Sequence, residues 1–201
     1  MQPAVTPPPS AASARSDERE RELLACVALR DRQAFEELYV LYHRPLARFL
    51  MRMSLRYELA EEVINDTFWV VWRQAARFRG DSRVSTWIMG IAYRRALKSL
   101  RRELTRHQRE VSGDMSDQQI ELATAEEPIR AHELQDWILH GLKQLPLEQR
   151  TAIELAYYFG HSFEEIASIM GCPQSTVKAR MFHARARLRT TLRQHAGPEA
   201  R

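Results

Sequence analysis

Cysteine is scarce in this chain, with only Cys26 and Cys172 among 201 residues. Two thiols so far apart make neither a disulfide framework nor a metal-ligand spacing. His161, Cys172 and His183 are too scattered in sequence to suggest a zinc site, so no metal and no cofactor is expected. Reduced thiols suit a cytoplasmic protein, and Cys26 reads as a small apolar residue in an amphipathic helix. No apolar run approaches the ~18 residues of a membrane span. The first ten residues hold four of the nine prolines and no charged side chain. They lack a basic start followed by an apolar run and so are no signal peptide. Residues 1–17, rich in Pro, Ala and Ser, read as a disordered tail. No phosphate-cradling glycine loop, HExxH or nucleophile motif occurs, so the chain is not expected to be an enzyme.

Beyond the tail only Pro45, Pro128, Pro146, Pro173 and Pro198 interrupt the chain, and no alternating strand pattern stands out. What remains is helical periodicity. Leu23, Leu24 and Val27 open one amphipathic helix. Asp31 can cap a second, with Phe35, Leu38, Tyr39, Leu41 and Tyr42 on its apolar side. Pro45 is placed to start a third, and a long fourth runs from about Glu58 to Arg77. A fifth, Ser85 to Arg102, completes a first domain. Gly113, Pro128 and several Ser and Asp mark a linker. Segments His132 to Leu145 and Leu147 to Tyr158 precede Ser162-Phe163-Glu164-Glu165, a capping box. Gly171 can end that helix in the left-handed conformation, and Pro173 suits the start of the next. Helix, short glycine turn and helix make a helix-turn-helix. The expected fold is all-α: a tail (1–17), a helical domain (18–103), a flexible acidic linker (104–131), a smaller helix-turn-helix domain (132–195) and a tail (196–201).

Charge is segregated. From Arg77 to Arg109 there are ten basic and two acidic residues, and from Glu110 to Asp136 eight acidic and one basic. Between Gln174 and Arg193 lie six Lys or Arg and no acid. At about 100° per residue, Ile88, Ala92, Ala96 and Leu100 form an apolar stripe, while Trp87, Arg94, Lys98 and Arg101 cluster on another side. A basic face holding a large aromatic suits a protein that grips phosphates and stacks on unpaired bases; the plainer reading is a solvated face plus one core tryptophan. In the last helix Val177, Met181, Ala184, Leu188 and Leu192 make the apolar stripe, and Thr176, Arg180, His183 and Arg187 line a different face.

These residues carry a resemblance. Asp31-Arg32-Gln33-Ala34-Phe35-Glu36-Glu37-Leu38-Tyr39, then Ala60 to Phe68, then Phe78-Arg79-Gly80 leading to Thr86-Trp87-Ile88, resemble the promoter-melting domain (region 2) of bacterial sigma factors. Leu145 to Arg150, Phe163 to Ala167, Gly171-Cys172-Pro173 and Thr176 to Arg187 resemble their C-terminal domain (region 4). The spacing, without an intermediate domain, is that of the extracytoplasmic-function group, and the likeness covers about residues 20–193. Members usually carry Asp, Gln and Glu where this chain has Glu62, Asn65 and Asp66; each change keeps the chemical character and alters length by one methylene.

The resemblance implies a transcription initiation factor that binds core RNA polymerase and promoter DNA. It assigns Glu61, Glu62, Asn65, Asp66 and Trp69 to the polymerase clamp. Arg79, Arg83, Ser85, Thr86 and Trp87 would hold the melted minus-ten strand, and Arg94, Arg95, Lys98 and Arg101 its flanking phosphates. Ser175, Thr176, Arg180 and His183 would face the minus-thirty-five element, with Thr176, Arg180 and His183 on base edges, as the N-terminal part of a recognition helix does. Lys178, Arg185 and Arg187 would meet phosphates, which position without specifying. The acidic linker would lie in a basic polymerase channel. An anti-sigma partner is common in the group, though no residue demonstrates one. Two rivals are a stand-alone helix-turn-helix regulator, which leaves Trp87 and the acidic linker unexplained, and an interaction module that has lost promoter function, against which both basic faces argue.

Overall fold

Helix α1 (Ala11–Ala28) begins the part of the chain that the computed structural model describes, residues 11–53, 55–111 and 141–195. The expected tail therefore gives way to helix at residue 11. Proline ends at Pro9, and alanine, the best helix former, recurs in Ala11, Ala12 and Ala14. Leu23, Leu24 and Val27 are buried, as their spacing requires, whereas Cys26, read as a small apolar residue of this helix, is exposed. The buried Glu20 carboxylate accepts from the Tyr42 hydroxyl at 2.5 Å. Arg30, with φ of 71°, ends the helix in the left-handed region and donates to the Trp72 carbonyl at 2.6 Å.

Asp31 caps α2 (Arg32–Arg52), accepting from the N–H groups of Gln33 and Ala34 at 2.8 and 3.1 Å. Pro45 lies inside this helix and does not start another. A proline there forfeits one backbone hydrogen bond and crowds the preceding turn, but Tyr42, Leu46, Phe49 and Leu50 are buried on both sides of it. Burial worth roughly 1.5–3 kcal/mol per large side chain offsets that cost. Leu41, expected on the apolar side, is exposed.

Helix α3 (Tyr57–Gln74) tightens into a 3-10 turn, Ala75–Arg77. Helix α4 (Val84–Val111) follows and runs past Arg102, where the sequence reading ended it. Phe35, Tyr39 and Phe68 pack edge to face, with Phe35–Phe68 centroids 5.8 Å and Tyr39–Phe68 centroids 4.8 Å apart.

After a helical turn at 141–143, α5 (Leu147–Ile153) widens into a π-type turn, Glu154–Tyr158. Helix α6 (Phe163–Met170) carries the full capping box: Glu165 N–H donates to Ser162 Oγ at 3.2 Å, and Ser162 N–H to Glu165 Oε2 at 2.8 Å. Gly171 ends α6 with φ of 62°, a conformation that costs a side-chain-bearing residue about 1 kcal/mol or more. Helix α7 (Gln174–His195) buries Val177, Met181 and Ala184. Leu192, the last residue of its expected stripe, lies outside the residues whose side chains are described.

The two halves meet along α4, which packs against α3 on one side and α6 on the other. Where α4 crosses α6, a Cβ at Gly90 would stand 3.6 Å from the Ile169 Cα, so the missing side chain permits close approach. Phe49 and Phe159 meet at 90° with centroids 5.7 Å apart.

Candidate nucleic-acid interface

The apolar stripe of α4 turns Ile88, Ala92 and Ala96 fully inward and thereby turns its basic residues out. Arg94, Lys98, Arg101, Arg102 and Arg106 line one continuous groove with Leu97 and Thr105. Arg94, Lys98 and Arg101 are exposed, and Arg95 is half-buried with Nη1 3.4 Å from Asp66 Oδ2. Five cations on one helical face with an apolar floor can follow a phosphate backbone.

The N-terminal end of α4 differs from the sequence expectation. Trp87 is half-buried and packs against the core, its ring 5.4 Å from Phe78 and tilted 54°. It is neither a pure core residue nor a free stacking platform. Thr86, expected to meet DNA, is 1 % exposed and donates to Glu165 Oε1 at 3.3 Å. Ser85 is half-buried. Arg83 is held by Asp17, with Nε and Nη2 at 3.0 and 2.5 Å from Oδ1, and its Nη1 stands 3.6 Å from Glu165 Oε1. Arg79 remains well exposed, paired with Asp81 at 2.9 Å.

On α7, Ser175, Lys178, His183, Arg185 and Arg187 are exposed and Thr176 is half-exposed. Arg180 is not presented to solvent as a base reader should be. Its guanidinium donates to Glu148 at the start of α5, and Nη1 lies 3.2 Å from Cys172 Sγ. The cause is rotational: Arg180 sits on the flank of the buried stripe, beside Val177 and Met181. The residue missed in the sequence is Phe182, 69 % exposed near the centre of the outward face and packed edge-on against His183. A phenylalanine opposite the apolar stripe, among basic residues, was the available signal.

Helix α3 carries a third surface. Trp69 is 60 % exposed and lines a shallow apolar groove with Phe35, Tyr39, Phe68 and Trp72, rimmed by Arg32, Glu36 and Asn65. Glu62, Asn65 and Asp66 are exposed. Asn65 Oδ1 accepts from the Tyr39 hydroxyl at 3.3 Å. Glu61 is not on an open face as expected. It is half-buried, with one oxygen 3.0 Å from His43 Nε2 and the other buried without a partner.

Comparison with known proteins bears on what such surfaces serve. A model of sigma-70 region 2 matches residues 38–106, and one of sigma-70 region 4 matches residues 135–188. The chain is 31% identical over 180 residues to the RNA polymerase sigma-H factor of Pseudomonas aeruginosa, covering 85% of this chain and 92% of that one. It is 32% identical over 176 residues to the ECF RNA polymerase sigma factor SigM of Mycobacterium tuberculosis, covering 87% and 85%. The chain belongs to the extracytoplasmic-function group of the sigma-70 family. Among solved structures it is similar to the sigma factor RpoE of Bartonella quintana, co-crystallised with the anti-sigma factor NepR, with TM-score 0.62, 28% identity and coverage of 79% and 96%. The fold also matches CnrH, solved with the cytosolic domain of CnrY, at TM-score 0.62 and 22% identity.

As a sigma factor the protein directs RNA polymerase to promoters. The stand-alone regulator would account only for the second matched region and is set aside. Among the described residues no helix is long and apolar enough to cross a membrane.

Proposed function

We propose that this sigma factor divides promoter recognition among three faces: Trp69 with Glu62, Asn65 and Asp66 on the polymerase, the groove of α4 with Arg79, Arg83, Ser85, Thr86 and Trp87 on the minus-ten strand, and α7 on the minus-thirty-five element. The single observation that carries this reading is the cationic groove from Arg94 to Arg106, continuous along the helix that carries Trp87 in its first turn. Strand opening is driven by binding, since capture of each unstacked base by an aromatic ring is worth roughly 1–3 kcal/mol; the chain acts in the cytoplasm and catalyses nothing itself. The acidic segment that follows α4 occupies a basic channel of the polymerase. On α7, Phe182 and His183 meet base edges, Thr176 and Ser175 support them, Lys178, Arg185 and Arg187 hold phosphates, and Arg180 positions the helix. The co-crystal of the similar RpoE with NepR favours an anti-sigma partner for this chain as well.

The test is transcription with purified core polymerase on a genomic template library. Promoter-specific transcripts that require this chain are expected. Their absence with active core would refute the assignment.

A further inference from the structure

The loop that leads into α4 is held from the far end of the chain, by α1. Asp17 accepts from Arg83 Nε and Nη2 through one oxygen, Oδ1, at 3.0 and 2.5 Å. One turn along α1, the buried Glu20 carboxylate accepts from the Tyr42 hydroxyl at 2.5 Å and from Ser16 Oγ at 3.2 Å. Tyr42 is buried as well. Burial, with Glu20 adding to it, pushes its hydroxyl far above the usual phenol range, against the pull of Arg83 and Ser85. Two carboxylates one turn apart on α1 thus act on the residues that flank Val84, where α4 begins. The Glu20–Tyr42 bond ties α1 to α2 and keeps Asp17 from drifting.

An unheld arginine is a long cation with many rotamers, and it attracts every phosphate alike. Arg83 is not unheld. Asp17 takes the Nε–Nη2 edge of its guanidinium and so fixes the bearing of the Nη1 end. The arginine side chain keeps 38% of its surface exposed and the aspartate 19%, so the donor stands in front and its anchor behind. A donor locked by a second residue selects among acceptors by geometry. A base that offers its acceptor off that bearing forfeits a charge-assisted hydrogen bond. The other carboxylate near Arg83, Glu165, stands farther off, with Oε1 3.6 Å from Nη1.

We propose that α1 is part of the minus-ten reader: Asp17 is a positioning residue that fixes the bearing of Arg83 and thereby sets base preference at the minus-ten element. The inference rests on the minus-ten role proposed above for Arg83. Asp17 touches no DNA itself. Its effect passes wholly through the guanidinium, so the two residues act as one unit.

The test uses the full chain in saturated holoenzyme. Templates carry random bases across the minus-ten element, downstream of a minus-thirty-five element that the holoenzyme selects, and sequenced transcripts report preference position by position. Asp17→Ala is expected to lower preference at one or two minus-ten positions about 5- to 10-fold. Preference on a second library, randomised at minus-thirty-five, should stay as in wild type. Arg83→Ala should flatten the same minus-ten positions. The double variant should flatten them no further, because residues that act through one contact are not additive. Asp17→Asn, which keeps the shape and removes the charge, should shift the same positions by less, and it carries the comparison if Asp17→Ala does not fold. Glu165→Gln, at the more distant carboxylate, should leave them unchanged. The positioning role is overturned by an even loss across all minus-ten sequences, by a loss that adds to that of Arg83→Ala, or by flattening in Glu165→Gln equal to that in Asp17→Ala. Wild-type preference in both Asp17 variants, with Arg83→Ala flattened, overturns it too. Failure of the minus-ten reading looks different: Arg83→Ala would itself keep wild-type preference at every minus-ten position.

Discussion

Arg180 of the recognition helix donates to Glu148, thirty-two residues earlier, at the start of α5. The two residues clasp α7 to the helix below it, and this separates holding the helix from reading the DNA. Arg180→Ala is expected to weaken all minus-thirty-five sequences alike and to lower the melting temperature, with Glu148→Gln doing the same. Charge-assisted hydrogen bonds of this kind are worth about 1.5–3 kcal/mol at most. Phe182→Ala should instead leave stability unchanged and relax preference at one or two positions bearing thymine, whose methyl group suits an apolar contact. A randomised minus-thirty-five library read by sequencing separates the two patterns.

Trp87 is half-buried, so truncating it should act on both stability and function. Trp87→Ala is expected to cost less than the ~3–5 kcal/mol typical of a fully buried tryptophan, measured by denaturant unfolding. It should also slow promoter opening, with partial recovery on a template already mismatched across the minus-ten region. A full-sized stability loss without recovery would make Trp87 a core residue alone.

Trp69 offers its ring to solvent beside Asn65 and the Phe35–Tyr39 groove. Trp69→Ala should leave unfolding within about 0.5 kcal/mol of wild type, as exposed substitutions do. Affinity for core polymerase should fall about tenfold or more, in line with the ≥ 2 kcal/mol loss that marks an interface hot spot. Titration of labelled chain against core enzyme reads the difference.

Glu165 also ties stability to pH. His161 Nδ1, 3.6 Å away, is the main influence holding its carboxyl down at about 2, with the Ser162 N–H and Arg83 adding to it against the opposing effect of burial. Asp17 and Glu20 share the neighbourhood through Arg83. A depressed carboxyl contributes stability that is fully present above its unfolded value near 4.5 and is lost as pH falls through about 2. Wild type should therefore lose up to about 3 kcal/mol across that window, and Glu165→Gln should lose correspondingly less. Parallel urea titrations from pH 6 to pH 2 check the slope.

The helix-turn-helix was legible because its signals are local. Ser162 and Glu165 fix one end of α6, Gly171 the other, and all three act within one or two turns. The apolar stripe of α4 was equally plain in Ile88, Ala92 and Ala96. Pro45 misled because its local cost is overridden by burial on both sides, a tertiary effect. Ala11 to Asp17 looked like tail by composition, yet Asp17 is anchored by Arg83, 66 residues away. The burial of Thr86 and Glu61 was invisible for the same reason. Their partners, Glu165 and His43, come from other helices, and periodicity within one helix says nothing of what another lays across it. Arg180 was misread by about one step of helical rotation, enough to move a long side chain from solvent to the flank of a packed stripe.

Gly90 turns the crossing of α4 and α6 into a gauge of side-chain size. A methyl group there would touch the Ile169 backbone at an ordinary 3.6 Å and press on the movable end of Arg94 at 3.2 Å. Alanine would also spare the mid-helix glycine penalty of about 1 kcal/mol. A branched or longer side chain finds no such room and can be housed only by moving the helices apart. Graded substitution at this one position would therefore act as a set of shims of increasing thickness, each fixing how far the two halves of the molecule can close.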